Sequence, residues 1–209
     1  MENKIGFRLL VISDRKLCRH KSIEEITREA FSSGVKAFQL REKDLSASEL
    51  LSLARKIKII SIHSHSKLII NDRLDVALLA NADGVHSPEN GINAKDIKNQ
   101  NKNLIVGKSV HSVESAVMAE RDGYDYILFG PIFRTKSKIK YGRPKGITEL
   151  KKVCSAVKIP VFALGGINPE RAIKCNNAGA HGVAVIGAIF KSKNVKRTVL
   201  EFKESLGGL

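Results

Sequence analysis

The sequence predicts a (β/α)8 TIM barrel, with residues 1–209 as one domain. Three observations lead to this prediction: eight short apolar runs of strand length, a helical or amphipathic segment after each run, and a chain of 209 residues. A chain of that length is ample for one core, and barrels of this size usually form one domain. Strand and helix patterns that alternate favour a parallel sheet with helical crossovers. An open doubly wound sheet needs fewer strands and commonly has a Gly-x-Gly-x-x-Gly motif, which this sequence lacks.

Each predicted strand is a short apolar run that a polar or glycine-containing stretch ends. The runs lie at residues 7–12, 37–41, 68–71, 84–86, 104–107, 126–129, 160–164 and 182–186. The helical segments between and after them lie at 22–32, from 46, and at 74–80, 94–98, 112–121, 146–157, 169–178 and 196–206. The first of these helices has a capping signal, because Glu25 follows Ser22 by three residues.

The composition favours small anionic partners. The formal net charge is +15, from 36 Lys and Arg against 21 Asp and Glu, a balance that suits phosphorylated metabolites, nucleic acid or an acidic membrane surface. Only 5% of residues are aromatic, Trp is absent and the basic residues are scattered, which argues against nucleic acid. No amphipathic membrane-binding helix stands out. We therefore expect phosphorylated small molecules as substrates, with neither nucleic acid nor a membrane as partner.

The chain is expected to be cytoplasmic. Its first residues lead directly into a strand-like run and have no signal-peptide pattern. No apolar run has the length of a membrane span. The three cysteines, Cys18, Cys154 and Cys175, are far apart and odd in number, unlike a disulfide framework or a zinc site. The sequence leaves the oligomeric state open, and a homo-oligomer is compatible with it.

Polar residues and glycines follow the predicted strands, at the end of the barrel where active sites lie. Each is ordinary alone, but together they would meet at one rim. They are Ser13, Asp14, Arg41, Lys43, Asn71, Asp72, His86, Lys108, Ser109, Thr135, Ser137, Lys138, Gly165, Gly166 and Gly187.

Two anion sites are predicted at this rim. Glycines after strands seven and eight, at Gly165-Gly166 and Gly187, let backbone amides approach a phosphate, although tight turns alone would also need glycine there. Residues 134–138 combine hydroxyls with cations, which suits phosphate oxygens; the alternative is a solvated basic loop. Arg41 and Lys43, together with Lys138, indicate a second anion, because one phosphate hardly needs every cation.

Asp72 is the candidate ligand for a hard cation such as Mg²⁺. That ion uses one or two carboxylates and completes its coordination with substrate phosphates and water. The alternative for Asp72 is an ion pair with the neighbouring Arg73.

Eight motifs, in order along nearly the whole chain, resemble the thiamine-phosphate synthase family, whose superfamily includes the thiazole tautomerases. These motifs are Gln39-x-Arg41-x-Lys43, Asn71-Asp72-Arg73, Ala82-Asp83-Gly84-Val85-His86, Gly107-x-Ser109-x-His111-Ser112, Asp125-Tyr126, the run from Gly130-Pro131 to Ser137-Lys138, Ala163-x-Gly165-Gly166-Ile167 and Gly182-Val183-Ala184-Val185-Ile186.

The resemblance implies a transfer reaction and a set of residue roles. Hydroxymethylpyrimidine diphosphate would lose pyrophosphate, and the ring nitrogen of a thiazole phosphate would take its methylene carbon. Arg41, Lys43, Ser109 and Lys138 would handle the diphosphate substrate together with Gln39 and Asn71. Thr135, Ser137, Gly166, Ile186 and Gly187 would hold the thiazole phosphate, and Asp72 would hold Mg²⁺.

The sequence departs from both branches of the superfamily at one position each. Gly91 stands where synthases usually have a second Asp for Mg²⁺, which leaves Glu89 as the acidic candidate in that loop. Pro131 stands where characterised tautomerases have a histidine. A synthase is the first expectation, because the residues for the diphosphate substrate are all present. A thiazole tautomerase and a non-catalytic thiazole-phosphate-binding relative are the alternatives.

Overall fold

The computed structural model describes residues 5–134 and 144–208, and within them eight parallel strands close into a barrel in sequence order. The closing pair joins the first strand to the eighth, with Leu10 opposite Ala184. The strands are β1 (Leu9–Ile12), β2 (Ala37–Leu40), β3 (Lys67–Asn71), β4 (Gly84–Ser87), β5 (Ile105–Val110), β6 (Tyr126–Phe129), β7 (Val161–Leu164) and β8 (Gly182–Val185). The predicted barrel fold is confirmed.

Helices connect successive strands and follow the last one. They are α1 (Ile23–Ser32), α2 (Ala47–His63), α3 (Leu74–Leu79), α4 (Ala94–Gln100), α5 (Val113–Arg121), α6 (Gly146–Ala156), α7 (Pro169–Asn177), α8 (Gly187–Phe190) and α9 (Val195–Ser205). Capping boxes at Ser22, Ser46 and Ser112 begin three of them. Among the described residues, no helix has both the length and the apolar character needed to cross a bilayer.

The structure differs from the predicted elements at three places. Strand β5 continues to Val110, so Lys108 and Ser109 lie inside the strand and not after it. A 3-10 helix at Arg15–Leu17 and the four-residue helix α8 were not predicted. Gly107 resembled a strand end, but it lies within β5. Glycine is needed at this position because the ring of Tyr126 occupies the space that a side chain would fill. A Cβ built at Gly107 would lie 2.1 Å from Cζ of Tyr126.

Alternation along the strands separates an inner core from an outer core. The inner core fills the barrel and consists of Ile5, Phe7, Leu10, Ile12, Ala37, Ile69, Ile105, Tyr126, Leu128, Phe162 and Ala184. Residues between these positions, such as Val11 and Phe38, pack against the helices. Since side chains two residues apart share one face of a strand, Gln39, Asn71 and Ile186 follow Ala37, Ile69 and Ala184 toward the carboxyl mouth of the barrel.

Candidate active site

The loop after β2 is fixed by carboxylates that lie within it. The backbone N–H of Arg15 donates to Glu42 Oε1 at 3.0 Å, and its guanidinium Nη1 donates to Asp44 Oδ1 at 2.6 Å. The buried Ser13 accepts a hydrogen bond from the backbone N–H of Arg41 at 2.8 Å. The hydrogen bond to Arg15 holds the pKa of Asp44 well below its usual range. These contacts tie the loop after β2 to the segment after β1.

Arg41 and Lys43 are the cations of this loop that lack an acidic partner. Neither side chain has a hydrogen bond or ion pair within residues 5–134 and 144–208, whereas Arg15 and Lys16 pair with Asp44. Arg41 is half-buried and Lys43 is exposed. An unpaired cation keeps its full charge for a ligand, so this pair suits a polyanion.

Gln39 offers an unused acceptor to the mouth of the barrel. Its side-chain Nε2 donates to Asn71 Oδ1 at 3.1 Å. Its Oε1 atom is buried and has no partner in the described part of the chain, and the whole residue is only 1% exposed. A buried acceptor without a donor costs free energy. A ligand with an N–H or O–H group would satisfy it.

Asp72 has a free carboxylate at the end of β3. Its backbone is left-handed, with φ of 66°, and its N–H donates to the carbonyl of His86 at 2.9 Å. The hydrogen bonds of Arg73 go to Asp75, with Nε donating to Oδ1 at 2.8 Å, and Asp72 adds only a smaller charge interaction with Arg73. The exposed side chain of Asp72 has no hydrogen bond or ion pair among the described residues.

These features fit a Mg²⁺ ion that takes some of its ligands from the protein and the others from a substrate. No group of three or more His, Cys, Asp or Glu side chains gathers around a common point in the parts of the chain described above. These residues therefore do not form a metal site in which the protein supplies every ligand. Mg²⁺ accepts one or two carboxylates with phosphate oxygens and water, and Asp72 supplies one such oxygen donor.

Glu89 lies beside His111, on an exposed turn after β4. Its Oε2 atom is 4.0 Å from Nε2 of His111, whose Nδ1 donates to the carbonyl of Gly130 at 2.7 Å. The turn needs glycine at position 91, because a Cβ there would lie 2.6 Å from Cδ of Pro88 and 2.7 Å from Oγ of Ser87. An aspartate cannot replace Gly91 unless this turn moves.

His86 forms a buried polar contact inside the barrel. Its Nδ1 atom lies 3.2 Å from the hydroxyl of Tyr126, and its Nε2 atom lies 2.8 Å from Oγ of Ser109. Burial, with a smaller effect of the Arg41 charge, lowers the pKa of His86 to about 3, and burial raises the pKa of Tyr126. Both side chains are therefore neutral near pH 7.

The loops after β6 and β7 pack closely on each other. The N–H of Phe133 donates to the carbonyl of Gly165 at 3.0 Å. Gly165 and Gly166 have φ of 104° and 66°, and a Cβ on Gly165 would lie 2.7 Å from Cβ of Pro131. Both glycines are thus required by the turn itself, as the alternative interpretation expected.

Arg171 joins these two loops from α7. Its Nη1 atom donates to the carbonyl of Gly166 at 2.6 Å, and its guanidinium carbon lies 4.7 Å from the centre of the Phe133 ring. Arg134, the last described residue of the β6 loop, has its carbonyl oxygen 3.1 Å from a Cβ built at Gly166. The predicted residues Thr135, Ser137 and Lys138 lie outside the described residues.

Ile186 and Gly187 lie at the mouth of the barrel beside this turn. Ile186 packs against the inner core, and Gly187 begins the short helix α8. The first amides of a helix have no acceptor within it. These two residues, like Gly165 and Gly166, offer a backbone surface rather than a side chain to a ligand.

Sequence reasoning assigned no role to the residues that hold the site in place. They are Arg15, Glu42, Tyr126 and Arg171. Glu42 lies between the two predicted cations, and its acidity was the only local signal of a buried partner. Tyr126 and His86 are 40 positions apart, so no local pattern indicates their contact.

Comparisons with known proteins identify the family of this chain. The family model described as "Thiamine monophosphate synthase" matches residues 9–189. The chain is 37% identical over 205 residues to the thiamine-phosphate synthase of Ruminiclostridium cellulolyticum, covering 98% of this chain and 97% of the relative. It is also 37% identical over 195 residues to the thiamine-phosphate synthase of Clostridium acetobutylicum, covering 92% and 91%.

A solved structure of a similar protein has the same fold. Thiamine phosphate pyrophosphorylase from Pyrococcus furiosus superposes with a TM-score of 0.88 at 34% identity, covering 96% of each chain. The family that the sequence motifs predict is confirmed by both kinds of comparison. This chain belongs to the thiamine monophosphate synthase family.

Proposed function

We propose that this chain is a thiamine-phosphate synthase, which joins hydroxymethylpyrimidine diphosphate to thiazole phosphate with release of pyrophosphate. Its relatives at 37% identity over nearly the whole chain carry that name. The observation that carries the proposal is the combination, at one end of the barrel, of unpaired cations (Arg41 and Lys43), an unpaired carboxylate (Asp72) and an unsatisfied buried acceptor (Gln39).

Arg41, Lys43 and Lys138 bind the diphosphate of the first substrate in this proposal, with Ser109 as a hydroxyl donor. Gln39 and Asn71 hold its pyrimidine ring, because the free Oε1 of Gln39 can accept a hydrogen bond from a ring substituent. The fixed loop after β2 supports this assignment, since Glu42 and Asp44 are occupied by Arg15 and leave the two cations free. The cations stabilise the negative charge that grows on the departing pyrophosphate.

Asp72 is the proposed protein ligand of Mg²⁺, and Glu89 is the second candidate. The bound ion would neutralise charge on the diphosphate and on the leaving pyrophosphate. Glu89 has His111 as its neighbour, so its contribution as a ligand is the weaker of the two. Loss of the usual second carboxylate at Gly91 is tolerable, because water and diphosphate oxygens fill vacant positions.

The thiazole phosphate is proposed to bind on the opposite side of the mouth. The backbone amides near Gly165, Gly166, Ile186 and Gly187 would contact it, with the hydroxyls of Thr135 and Ser137. Two phosphate-bearing substrates would thus meet between the loops after β2 and β7. No dedicated base is assigned, since the released pyrophosphate can take the proton. The free thiols Cys18, Cys154 and Cys175 suit a reducing compartment, so we place the reaction in the cytoplasm.

The decisive experiment mixes the purified protein with both precursors and Mg²⁺ and measures pyrophosphate and thiamine phosphate. Formation of both products supports the proposal. A second assay follows deuterium from solvent into thiazole carboxylate phosphate, which a tautomerase would incorporate. Incorporation without pyrophosphate release would overturn the synthase assignment in favour of the tautomerase.

A matched pair of lysine variants tests the diphosphate site. Lys43→Ala should raise the KM for the pyrimidine diphosphate roughly tenfold or more, because it removes a charge-assisted hydrogen bond worth about 1.5–3 kcal/mol. The KM for thiazole phosphate should change little. Lys16→Ala, which removes a lysine that pairs with Asp44, is the control and should alter neither value. Equal effects of Lys43→Ala on both substrates would mean that this lysine is structural.

A further inference from the structure

The polar contact of Tyr126, His86 and Ser109 has one arrangement of hydrogens that satisfies its buried groups. The Tyr126 side chain is fully buried, and His86 Nδ1 is the one hydrogen-bond partner of its hydroxyl in residues 5–134 and 144–208. A buried O–H needs an acceptor. The hydroxyl of Tyr126 must therefore donate to Nδ1, which must accept.

The tautomer of His86 follows from that first bond. A neutral imidazole has one N–H, so an accepting Nδ1 places the hydrogen on Nε2. Nε2 then donates to Oγ of Ser109 across 2.8 Å. The opposite tautomer would leave the hydroxyl hydrogen of Tyr126 inside the barrel without an acceptor. It would also direct the hydrogen of Ser109 back toward His86.

We infer that Tyr126 and His86 are positioning residues that keep the hydroxyl hydrogen of Ser109 free to donate into the mouth of the barrel. Ser109 is half-buried at the upper end of β5, where its hydrogen can reach a ligand. Because its oxygen accepts from His86, Ser109 keeps its own hydrogen to donate to a ligand, which suits an anionic oxygen of the diphosphate. This inference rests on the proposed function for the identity of that anion, but not for the tautomer.

The inner core is built around this contact. Gly107, on the strand that carries Ser109, has no side chain, and the Tyr126 ring occupies the space. The ring of Phe162 packs edge-on against Tyr126 with centroids 5.6 Å apart, and the rings of His86 and Tyr126 lie 5.7 Å apart. The tyrosine is thus held in one orientation, so its hydroxyl is directed at His86.

The tautomer is measured directly by NMR on the protein labelled with ¹⁵N-histidine, without substrates, with the signals of His86 identified by their loss in His86→Gln. We expect a protonated Nε2 and an unprotonated Nδ1 at pH 7. A protonated Nδ1 would overturn the inference. This measurement does not depend on activity, so it distinguishes a failure here from a failure of the proposed function.

A double-mutant cycle tests whether Tyr126 acts through Ser109. Tyr126→Phe should lower kcat about tenfold, as expected for a displaced donor. In the Ser109→Ala background the same change should alter kcat less than about twofold, because the group that it positions is gone. Effects that multiply would overturn the inference. Tyr124→Phe is the control, since its hydroxyl donates to the carbonyl of Ile92 at 3.1 Å and should leave kcat within about twofold of wild type.

Discussion

Gly107 is the residue on which the inner core depends for space. A Cβ there would lie 2.1 Å from Cζ and 2.5 Å from the hydroxyl oxygen of Tyr126, and neither atom belongs to a flexible chain end. Gly107→Ala should therefore destabilise the fold by about 1–3 kcal/mol, the usual cost of overpacking, as measured by urea unfolding. Gly6→Ala is the matched control, because no atom lies within 4 Å of its built Cβ. Equal stability of the two variants would contradict the packing.

Replacing Gln39 should weaken substrate binding but leave the stability of the fold nearly unchanged. Its Oε1 atom is buried without a partner, so replacement by the similarly shaped Met removes both an unsatisfied acceptor and one hydrogen bond to Asn71. The two effects oppose each other, and Gln39→Met should change the free energy of unfolding by less than about 1 kcal/mol. Affinity for the pyrimidine diphosphate should fall roughly tenfold or more.

Calorimetric titration and urea unfolding of the same sample measure both quantities for this variant. Gln100→Met, at the exposed end of α4, is the matched substitution and should change neither. Unchanged affinity of Gln39→Met for the diphosphate would remove Gln39 from the pyrimidine site. Affinity for thiazole phosphate should stay constant in both variants.

At the scale of elements, the α7 residue Arg171 links the loops that form the proposed thiazole-phosphate site. Its hydrogen bond to Gly166 and its stacking on Phe133 should each contribute about 0.5–1.5 kcal/mol. Arg171→Met should therefore weaken thiazole phosphate binding about tenfold, while the pyrimidine diphosphate binds as before. Lys174→Met on the same helix removes only an exposed pair with Glu170 and serves as the control. Loss of affinity for both substrates would indicate a general disturbance of the barrel.

The elements that the sequence predicted well are those with a local cause. Ser22 and Ser46 begin α1 and α2 through capping boxes that lie within four residues, and β6 is an apolar run ended by glycine and proline. The predicted end of β5 was wrong because Gly107 makes room for the ring of Tyr126 and does not form a turn. Helix α8 has only four residues, too few for a periodic pattern.

The site was predictable where strand ends supply it and unpredictable where distant side chains hold it. Arg41, Asn71 and Asp72 follow from the rule that barrel loops at the carboxyl ends of the strands carry the chemistry. The pairing of Arg15 with Glu42 and the contact of His86 with Tyr126 join residues 27 and 40 positions apart. Such contacts form only in the closed barrel, and no regular spacing in the sequence predicts them. The site roles of Arg41, Asn71 and Asp72 remain predictions, as do those of the hydroxyls and the lysine of the β6 loop.

At the scale of the whole molecule, the buried His86 and the half-buried His181 make stability depend on pH. Burial lowers the pKa of His86 to about 3 and, with a contribution from Arg8, lowers that of His181. Histidine in the unfolded chain has a pKa near 6.5. Below that value the unfolded state binds protons that the folded state refuses, so the free energy of unfolding falls as the pH decreases. The stabilisation is complete above about pH 6.5 and is lost toward pH 3.

His181→Gln isolates one part of this dependence at the end of the barrel opposite the active site. Nε2 of His181 donates to the carbonyl of Phe7 at 3.1 Å, and a glutamine amide can donate the same bond without titrating. The loss of stability between pH 7 and pH 5, measured by urea unfolding, should therefore be smaller in His181→Gln than in wild type. The exposed His63→Gln at the end of α2 should retain the wild-type loss. An equal loss in all three proteins would show that His181 binds its proton as readily folded as unfolded.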